Sequence, residues 1–269
     1  MKGKKKIELL IIDPQNDFCD PKGSLFVTGA DKDSVRLAKM MNRLKNEIFD
    51  IHVTLDSHHY VDIAHPIFWE DSKGNHPSPF TLISADDVKN SKWRAKNPSY
   101  QKRAIKYVET LSLNKRYLLC IWPPHCLIGS WGHNVVDPIY KELLEWEKDF
   151  AMVNFVTKGS NIWTEHYSAI QADVPDDEDP GTGMNTRLID TLVEADIIGL
   201  TGQALSHCVA NTVRDIANFG TFGEENIKKM VLLIDTTSSV PGFEKMGEDF
   251  VNELSGRGMK IQKSTEFMT

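Results

Sequence analysis

Short apolar runs alternate with amphipathic segments along most of the chain. Several runs of four to six residues are rich in Ile, Val and Leu, which is typical of strands buried on both faces of a parallel sheet. These runs cover residues 7–12, 51–55, 151–156, 197–201 and 231–234, and residues 259–263 could add a sixth strand. Apolar positions spaced three and four apart predict helices over residues 34–49, 102–111, 186–194, 209–219 and 243–254.

Alternating strands and helices predict an α/β fold with one doubly wound, open parallel sheet of about six strands and helices on both faces. We expect a single domain over residues 1–269. Ligands of such sheets bind in the crevice beyond the carboxyl ends of the strands. The residues that follow each predicted strand are therefore the first place to look for chemistry.

Two regions interrupt this rhythm. Residues 66–98 are rich in Pro, Ser, Asn, Asp and aromatic residues without a sustained period, which predicts a structured loop excursion over the ligand-binding face. Residues 173–183 form a second Pro-containing loop with four consecutive acidic residues, Asp176 to Asp179. Contiguous like charges usually face water, so we interpret this loop as solvated rather than metal-binding.

Composition and charge narrow the class of protein. The chain has 269 residues, 41% of them hydrophobic and 26% charged, which is typical of a globular protein. A net charge of −7 disfavours nucleic acid or an anionic membrane as partner, and no stretch approaches the 18 apolar residues of a membrane span. A small-molecule partner is expected, and the sequence leaves a homo-oligomer open.

The four cysteines are too sparse and too irregularly spaced for a disulfide framework or a zinc motif. They are Cys19, Cys120, Cys126 and Cys208. We therefore expect reduced thiols and a cytoplasmic location. The sequence contains neither the G-x-G-x-x-G pattern of dinucleotide sites nor the P-loop pattern, so no nucleotide cofactor is expected.

Reactive side chains recur where the predicted strands end. Asp13, Asp56 with His58, and Lys158 follow three of the strands, and Cys208 lies shortly after a fourth. A lone Asp after a strand is more often a turn or cap residue. The combination at one rim of the sheet favours a functional site.

Cys208 lies where a predicted strand passes through a turn of small residues into a helix. The macrodipole at a helix N-terminus favours a thiolate and lowers its pKa, and the free amides there can stabilise an oxyanion. The alternative is that Cys208 is a small buried apolar residue, the usual state of a cytosolic cysteine.

Asp56 and His58 are two residues apart on an extended segment, so their side chains share a face and can bind one cation. His125, in a Trp-Pro-Pro-His-Cys turn, is a candidate third ligand, and His65 is a candidate fourth. Histidine combined with carboxylate suits one divalent Zn, Fe or Mn ion better than Ca or Mg.

Five motifs occur in the order and context that they have in isochorismatase-like cysteine hydrolases, and the chain resembles the nicotinamidases (pyrazinamidases) most closely. The motifs are Asp13-Pro14-Gln15-Asn16-Asp17-Phe18, Asp56-Ser57-His58, Trp122-Pro123-Pro124-His125-Cys126, Val156-Thr157-Lys158-Gly159 and residues 202–209. The resemblance spans residues 7 to about 241 and implies the isochorismatase-like hydrolase fold.

The resemblance also implies roles for individual residues. Asp13, Lys158 and Cys208 match the catalytic triad of a cysteine amidohydrolase that forms a thioester intermediate. Asp56, His58 and His125, with His65, match metal ligands, and Phe18 and Trp122 match aromatic residues that flank the substrate ring. A cis peptide at Gln203-Ala204 and an oxyanion hole formed by the amides of Ala204 and Cys208 are implied as well.

The implied reaction is hydrolysis of nicotinamide to nicotinate and ammonia, in salvage of NAD. Two departures bear on the substrate: Leu205 and Ser206 replace a Thr and an acidic residue common in nicotinamidases, and the excursion at residues 66–98 is long. A related hydrolase acting on another small amide, carbamoyl or ureido substrate is therefore an alternative. A catalytically silent binding domain and a metallohydrolase whose nucleophile is metal-bound water are further alternatives.

Overall fold

The computed structural model describes residues 5–114 and 117–269, which form ten strands and nine α-helices within that part of the chain. The strands are β1 (Ile7–Ile12), β2 (Ile48–Asp56), β3 (Trp69–Glu70), β4 (Leu82–Ile83), β5 (Arg94–Ala95), β6 (Leu119–Cys120), β7 (Asn154–Lys158), β8 (Ile197–Gly202), β9 (Met230–Leu233) and β10 (Lys260–Gln262). The α-helices are α1 (Asn16–Cys19), α2 (Ala30–Leu44), α3 (Ala85–Lys89), α4 (Gln101–Asn114), α5 (Asp137–Glu147), α6 (Thr186–Val193), α7 (Ala210–Asn218), α8 (Gly223–Ile227) and α9 (Glu244–Gly256).

Six strands form the central sheet in the order β10-β9-β8-β1-β2-β7, and every pair is parallel. All six residues of β1 are buried, as the continuous apolar run predicts. The α/β class and the six-strand parallel sheet are thus confirmed. From β1 the chain builds β2 and β7 on one side and then returns to place β8 beside β1, so the direction of winding reverses between β1 and β8. Such a reversal opens a ligand crevice at the carboxyl ends of those two strands.

Several element boundaries differ from the sequence prediction. The helix predicted over residues 34–49 ends at Leu44, because residues 45–47 form an exposed turn and Ile48 already begins β2. The strand predicted over residues 151–156 is shifted to Asn154–Lys158, where β7 is an edge strand whose side chains are mostly exposed. Helix α5 carries an apolar face that packs on α2, and the sequence analysis did not predict it.

The loop excursion contains short elements, including the antiparallel pair β3–β5 and the strand β4, which pairs with β6. Phe80 of this excursion packs edge-on against Trp122, with ring centroids 5.7 Å apart. The excursion thus reaches the segment that carries the Trp-Pro-Pro-His motif. No helix among residues 5–114 and 117–269 has the length and apolar character needed to cross a membrane.

Candidate active site

Asp13, Lys158 and Cys208 meet at the carboxyl ends of β1, β7 and β8. The Lys158 ammonium lies 2.9 Å from Asp13 Oδ2 and 3.7 Å from Cys208 Sγ. All three residues are buried, with at most 5% of their surface exposed. The structure therefore brings together an acid, a base and a thiol that the sequence separates by up to 195 positions, from Asp13 to Cys208.

Asp13 is oriented by its neighbour on β2. Its backbone N–H donates to Thr54 Oγ1, and the Thr54 hydroxyl donates to Asp13 Oδ1. Asp13 Oδ2 has no hydrogen-bond partner within the described part of the chain other than the ion pair with Lys158. Burial raises the pKa of Asp13 above its ordinary value, against the opposing effect of the Lys158 ammonium. One carboxylate oxygen is thus held in place and the other faces the lysine and the thiol.

Lys158 bridges two carboxylates, since its Nζ lies 2.9 Å from Asp56 Oδ1 as well as from Asp13. Burial disfavours its ammonium ion, but the two carboxylates outweigh that effect, and the pKa of Lys158 lies well above its ordinary value. Gly159, at φ +85°, allows this close approach, because a Cβ there would lie 2.8 Å from Asp56 Oδ1. Lys158 therefore stays a fixed positive charge between the carboxylates and the thiol.

Cys208 lies in a π-helical turn, Leu205–Val209, that leads directly into α7. The expectation that the helix terminus lowers its pKa is wrong for this site. Burial raises the pKa of Cys208 well above its ordinary value, and Asp13 and Asp56 raise it further while Lys158 opposes them. The thiol is accordingly protonated at rest and needs a base to become a nucleophile.

The turn before Cys208 has the backbone arrangement that the resemblance implies. The Gln203-Ala204 peptide bond is cis. Gly202, at φ +113°, precedes it, and a Cβ at this position would lie 1.9 Å from the Ile12 carbonyl oxygen. Only glycine allows β8 to approach β1 this closely. The Ala204 and Cys208 amides therefore begin and end a short turn beside the thiol.

Asp56, His58 and His125 come together beside Lys158, with one ligand atom of each within 4.8 Å of the others. His58 Nε2 and His125 Nε2 lie 3.1 and 3.5 Å from Asp56 Oδ2. The His65 ring is 5.2 Å from the His58 ring and 5.6 Å from the His125 ring, measured between centroids. The structure thus brings all four sequence-predicted ligands into one cluster.

The chemistry of this cluster fits a divalent metal. The Nε2 atoms of His58 and His65 are buried and make no hydrogen bond in the described residues, and apart from the ion-pair contact of His58 with Asp56 this is a costly state for a polar atom without a ligand. Burial lowers the pKa of His65 to about 4, and the neutral imidazole is the form that binds metal. Asp62 Oδ2 lies 3.1 Å from His58 Nδ1, as the carboxylates that orient metal-binding histidines do.

Two residues of the first motif hold Asp56 and the His125 loop in place, and neither was assigned a role from the sequence. The Gln15 side chain donates to the Asp56 carbonyl and accepts from the Asp56 N–H, both at 2.7 Å. Asp17 Oδ2 accepts the Cys126 N–H at 2.6 Å and so anchors the loop that carries His125. Only the spacing within the motif could have indicated these contacts, because their partners are far away in the sequence.

Phe18 and Trp122 are both buried near the site, on different sides of it. The Phe18 ring packs edge-on against His125, with centroids 5.4 Å apart. The Trp122 ring packs edge-on against His207, next to Cys208, at 5.2 Å, and its indole N–H donates to the Tyr167 hydroxyl. Aromatic rings thus pack against His125 of the histidine cluster and against His207, the neighbour of Cys208 in the sequence.

Some known proteins resemble this chain in sequence and in fold. No family model matches the chain. The nicotinamidase of Saccharomyces cerevisiae is 25% identical over 254 residues, which cover 94% of this chain and 97% of the yeast protein. The structure of the yeast enzyme bound to the inhibitor nicotinaldehyde has a TM-score of 0.63 at 20% identity, with 96% of this chain and 99% of that chain covered.

Two further solved structures share the fold. Pyrazinamidase of Pyrococcus horikoshii in complex with zinc has a TM-score of 0.58 at 17% identity and covers 96% of this chain and 99% of its own. An isochorismatase-like hydrolase from Alkaliphilus metalliredigens has a TM-score of 0.54 at 18% identity and covers 98% and 97%. The shared architecture is a doubly wound α/β sheet. The chain has the isochorismatase-like hydrolase fold, and within it resembles the nicotinamidases, as its motifs predict.

Proposed function

We propose that this chain is a cysteine amidohydrolase that converts nicotinamide to nicotinate and ammonia through a thioester on Cys208. The observation that carries the proposal is the position of the Lys158 ammonium, 2.9 Å from Asp13 Oδ2 and 3.7 Å from Cys208 Sγ, at the carboxyl end of the parallel sheet. A buried thiol beside a buried carboxylate and a fixed cation has the groups that nucleophilic catalysis needs.

In the first half of the reaction, Asp13 takes the proton of the Cys208 thiol, and the sulfur attacks the carbonyl carbon of the amide. The Lys158 ammonium stabilises the sulfur anion while the proton is on Asp13. The carbonyl oxygen takes the negative charge and is stabilised by the amides of Ala204 and Cys208. Asp13 then returns the proton to the leaving nitrogen, the carbon–nitrogen bond breaks, and ammonia departs.

In the second half, water replaces ammonia. Asp13 accepts a proton from the water as its oxygen attacks the thioester carbon. The same amides stabilise the second oxyanion, the carbon–sulfur bond breaks, and the thiolate recovers its proton. The products are a carboxylic acid and free enzyme, so one water molecule is consumed for each ammonia released.

We further propose that Asp56, His58 and His125, with His65, hold one divalent ion, Zn, Fe or Mn. When bound, such an ion supplies an electrophilic site that orients a pyridine nitrogen or its water. The zinc in the P. horikoshii relative supports this assignment. Asp56 Oδ1 also lies 2.9 Å from Lys158 Nζ. This one carboxylate therefore links the histidine cluster to the triad and keeps the two next to each other.

An aromatic amide is the substrate that uses all of these features together. Phe18 and Trp122 provide flat apolar walls, the histidine cluster faces a ring nitrogen, and Cys208 requires a carboxamide. The likeness to the yeast nicotinamidase, solved with nicotinaldehyde, supports nicotinamide itself. The reaction then belongs to NAD salvage, and the four free cysteines are in keeping with a cytoplasmic enzyme. A homo-oligomer stays a prediction.

Leu205 and Ser206 border the nucleophile and favour a second candidate, the hydrolysis of another small amide or of a carbamoyl or ureido compound. Ammonia release from a panel of nicotinamide, pyrazinamide, benzamide, acetamide and a ureido acid distinguishes the two. We expect the pyridine and pyrazine amides to exceed the others by at least about tenfold in kcat/KM. Turnover of the ureido acid without turnover of nicotinamide would replace the substrate and keep the mechanism.

A further inference from the structure

The turn between β8 and Cys208 is held by a hydrogen-bond network of two buried side chains, Gln203 and Asp33, and the half-buried Ser238. Gln203 is 1% exposed, and its amide nitrogen donates to Asp33 Oδ2 at 3.0 Å. Its amide oxygen accepts the Ser238 N–H at 3.1 Å. Asp33 is on α2 and Ser238 follows β9, so two elements outside the candidate triad converge on one side chain.

Asp33 is the centre of this network. It is 3% exposed and accepts the Ser238 hydroxyl at 2.6 Å in addition to Gln203. Its other oxygen pairs with Arg36. Hydrogen bonds to a charged acceptor are stronger and more directional than neutral ones. Because a carboxylate only accepts hydrogen bonds, Asp33 requires the Gln203 amide nitrogen to point toward α2. The Ser238 N–H only donates, so it requires the Gln203 amide oxygen on its own side.

The main chain of the same turn is held at its two ends. The Gln203 N–H donates to the Ile12 carbonyl at 2.8 Å, directly before Asp13. The Leu205 N–H donates to the Ser238 carbonyl at 2.8 Å, and the Val240 N–H donates to Ser206 Oγ at 3.1 Å. Ala204 therefore lies between two residues with hydrogen-bonded amides, Gln203 and Leu205. Residues 238–240 run alongside the turn as far as Ser206.

We propose that Asp33, Gln203 and Ser238 are positioning residues that set the direction of the Ala204 and Cys208 amides toward the oxyanion, an inference that rests on the proposed function. None of the three is assigned to contact substrate. Their effect is expected on kcat, because an oxyanion donor acts on charge that develops only in the transition state.

The test compares Gln203→Leu with Thr236→Val. Leucine has nearly the volume of glutamine but neither donates nor accepts. Thr236 is 1% exposed and lies on the segment that leads to Ser238. Its hydroxyl donates to the Leu233 carbonyl at 2.9 Å and lies 2.6 Å from the Thr201 hydroxyl, and among the described residues it makes no hydrogen bond to residues 203–205. Thr236→Val thus removes a comparable buried hydrogen bond from the same region.

For Gln203→Leu we expect kcat for nicotinamide to fall by about 10- to 100-fold, less than the 10²- to 10³-fold loss for deletion of an oxyanion donor itself. KM should stay within about threefold, and Cys208 alkylation by iodoacetamide within about twofold. Nicotinaldehyde should bind more weakly by about the same factor as kcat falls, because addition of the thiol converts its carbonyl oxygen into an oxyanion. Thr236→Val should keep kcat within about twofold.

Hydrogen exchange of peptides spanning residues 203–208 gives a readout that does not need turnover. Exchange should be faster in Gln203→Leu than in wild type and unchanged in Thr236→Val. Unchanged exchange together with unchanged kcat and nicotinaldehyde affinity would overturn the inference, as would equal losses of alkylation rate and kcat. Absence of amide turnover in wild type would overturn the proposed function, while faster exchange in Gln203→Leu would still show that the network holds the turn.

Discussion

The strands β1, β2 and β7 carry two groups of interacting polar side chains, one within the sheet and one at its carboxyl end. The inner group joins Glu8, His52 and Asn154, with His52 Nε2 2.8 Å from Glu8 Oε2 and His52 Nδ1 2.9 Å from the Asn154 amide. The outer group, four or five residues further along the same strands, joins Asp13, Asp56 and Lys158. Each has one member from each strand, so the two groups test what distinguishes a site from a structural contact.

Glu8 and His52 are as buried as Asp13, Asp56 and Lys158, although Asn154 on the edge strand is exposed, so burial of the charged residues alone does not separate the two groups. In the inner group each side chain has a hydrogen-bond partner from a neighbouring strand, and Glu8 Oε1, which makes no hydrogen bond among the described residues, faces the Lys6 ammonium at 3.4 Å. In the outer group Asp13 Oδ2 and Asp56 Oδ1 likewise have only their ion pairs with Lys158, but Cys208 Sγ lies 3.7 Å from the lysine, and His58 and His125 cluster around Asp56. We infer that the thiol and the histidines brought in by the turns beyond the strands, and not burial or an unpaired carboxylate oxygen, mark the functional end of the sheet.

The largest effect is expected for Cys208→Ala. It removes the proposed nucleophile but little packing volume, so turnover should fall by about 10⁴-fold or more, as in knockouts of other catalytic triads. Circular dichroism and the melting temperature should stay close to those of wild type. Activity within a few-fold of wild type would refute the cysteine-hydrolase assignment and favour a metal-bound water as nucleophile.

The metal cluster gives the second largest effect. His125→Ala removes a proposed ligand whose Nε2 lies 3.5 Å from Asp56 Oδ2, whereas His59→Ala changes an exposed neighbour of His58. Metal affinity should fall by more than about 100-fold in the first variant, beyond the cost of losing an outer-shell partner, and remain unchanged in the second. Equilibrium dialysis with zinc and elemental analysis measure this, and equal metal content in both variants would contradict the assignment.

A smaller effect is expected at the aromatic walls. Phe18→Ala should weaken nicotinamide binding by the roughly 0.5–1.5 kcal/mol that an aromatic contact contributes beyond its buried area, or about two- to twelvefold. Acetamide turnover, where detectable, should change less because it has no ring to stack. Titration with nicotinamide of Cys208→Ala and of the double variant Phe18→Ala/Cys208→Ala measures the binding step alone. The same Kd in both variants would remove Phe18 from the substrate site.

The smallest effect on catalysis is expected within the inner group. Glu8→Gln keeps the shape of the side chain but removes the charge that Lys6 and His52 face, so the free energy of unfolding should decrease by about 1–3 kcal/mol. The kcat/KM for nicotinamide should stay within about twofold. A loss of activity comparable with that of His125→Ala would show that the two polar groups are coupled rather than distinct.

The two groups also show which features of the structure could be predicted from the sequence. The six-strand sheet was predictable because apolar runs bounded by polar residues have few other interpretations, and Asp13, Lys158 and Cys208 followed from their motifs. The inner group was missed because Glu8 lies within an apolar run and its partner is 44 residues away. The link between Asp33 and Gln203 spans 170 residues, and a periodicity or a local motif gives no signal at that distance.

The state of Cys208 illustrates a different limit. Sequence context indicates a helix terminus and hence a lowered pKa, but the depth of burial and the carboxylates of Asp13 and Asp56 depend on tertiary structure and reverse the direction. The boundaries of β7 were shifted for a related reason, since an edge strand with exposed side chains lacks the continuous apolar pattern of a central strand.

The most direct test of the central claim is to trap the acyl-enzyme. Nicotinamide is mixed with the metal-loaded enzyme, quenched in acid within the first turnovers, and the peptides are analysed by mass spectrometry. We expect a nicotinoyl adduct on Cys208 alone, removed by hydroxylamine as a thioester is, and formed together with one equivalent of ammonia. Steady release of ammonia from nicotinamide with Cys208 unmodified at every quench time, and with undiminished activity after Cys208 is alkylated, would contradict the mechanism.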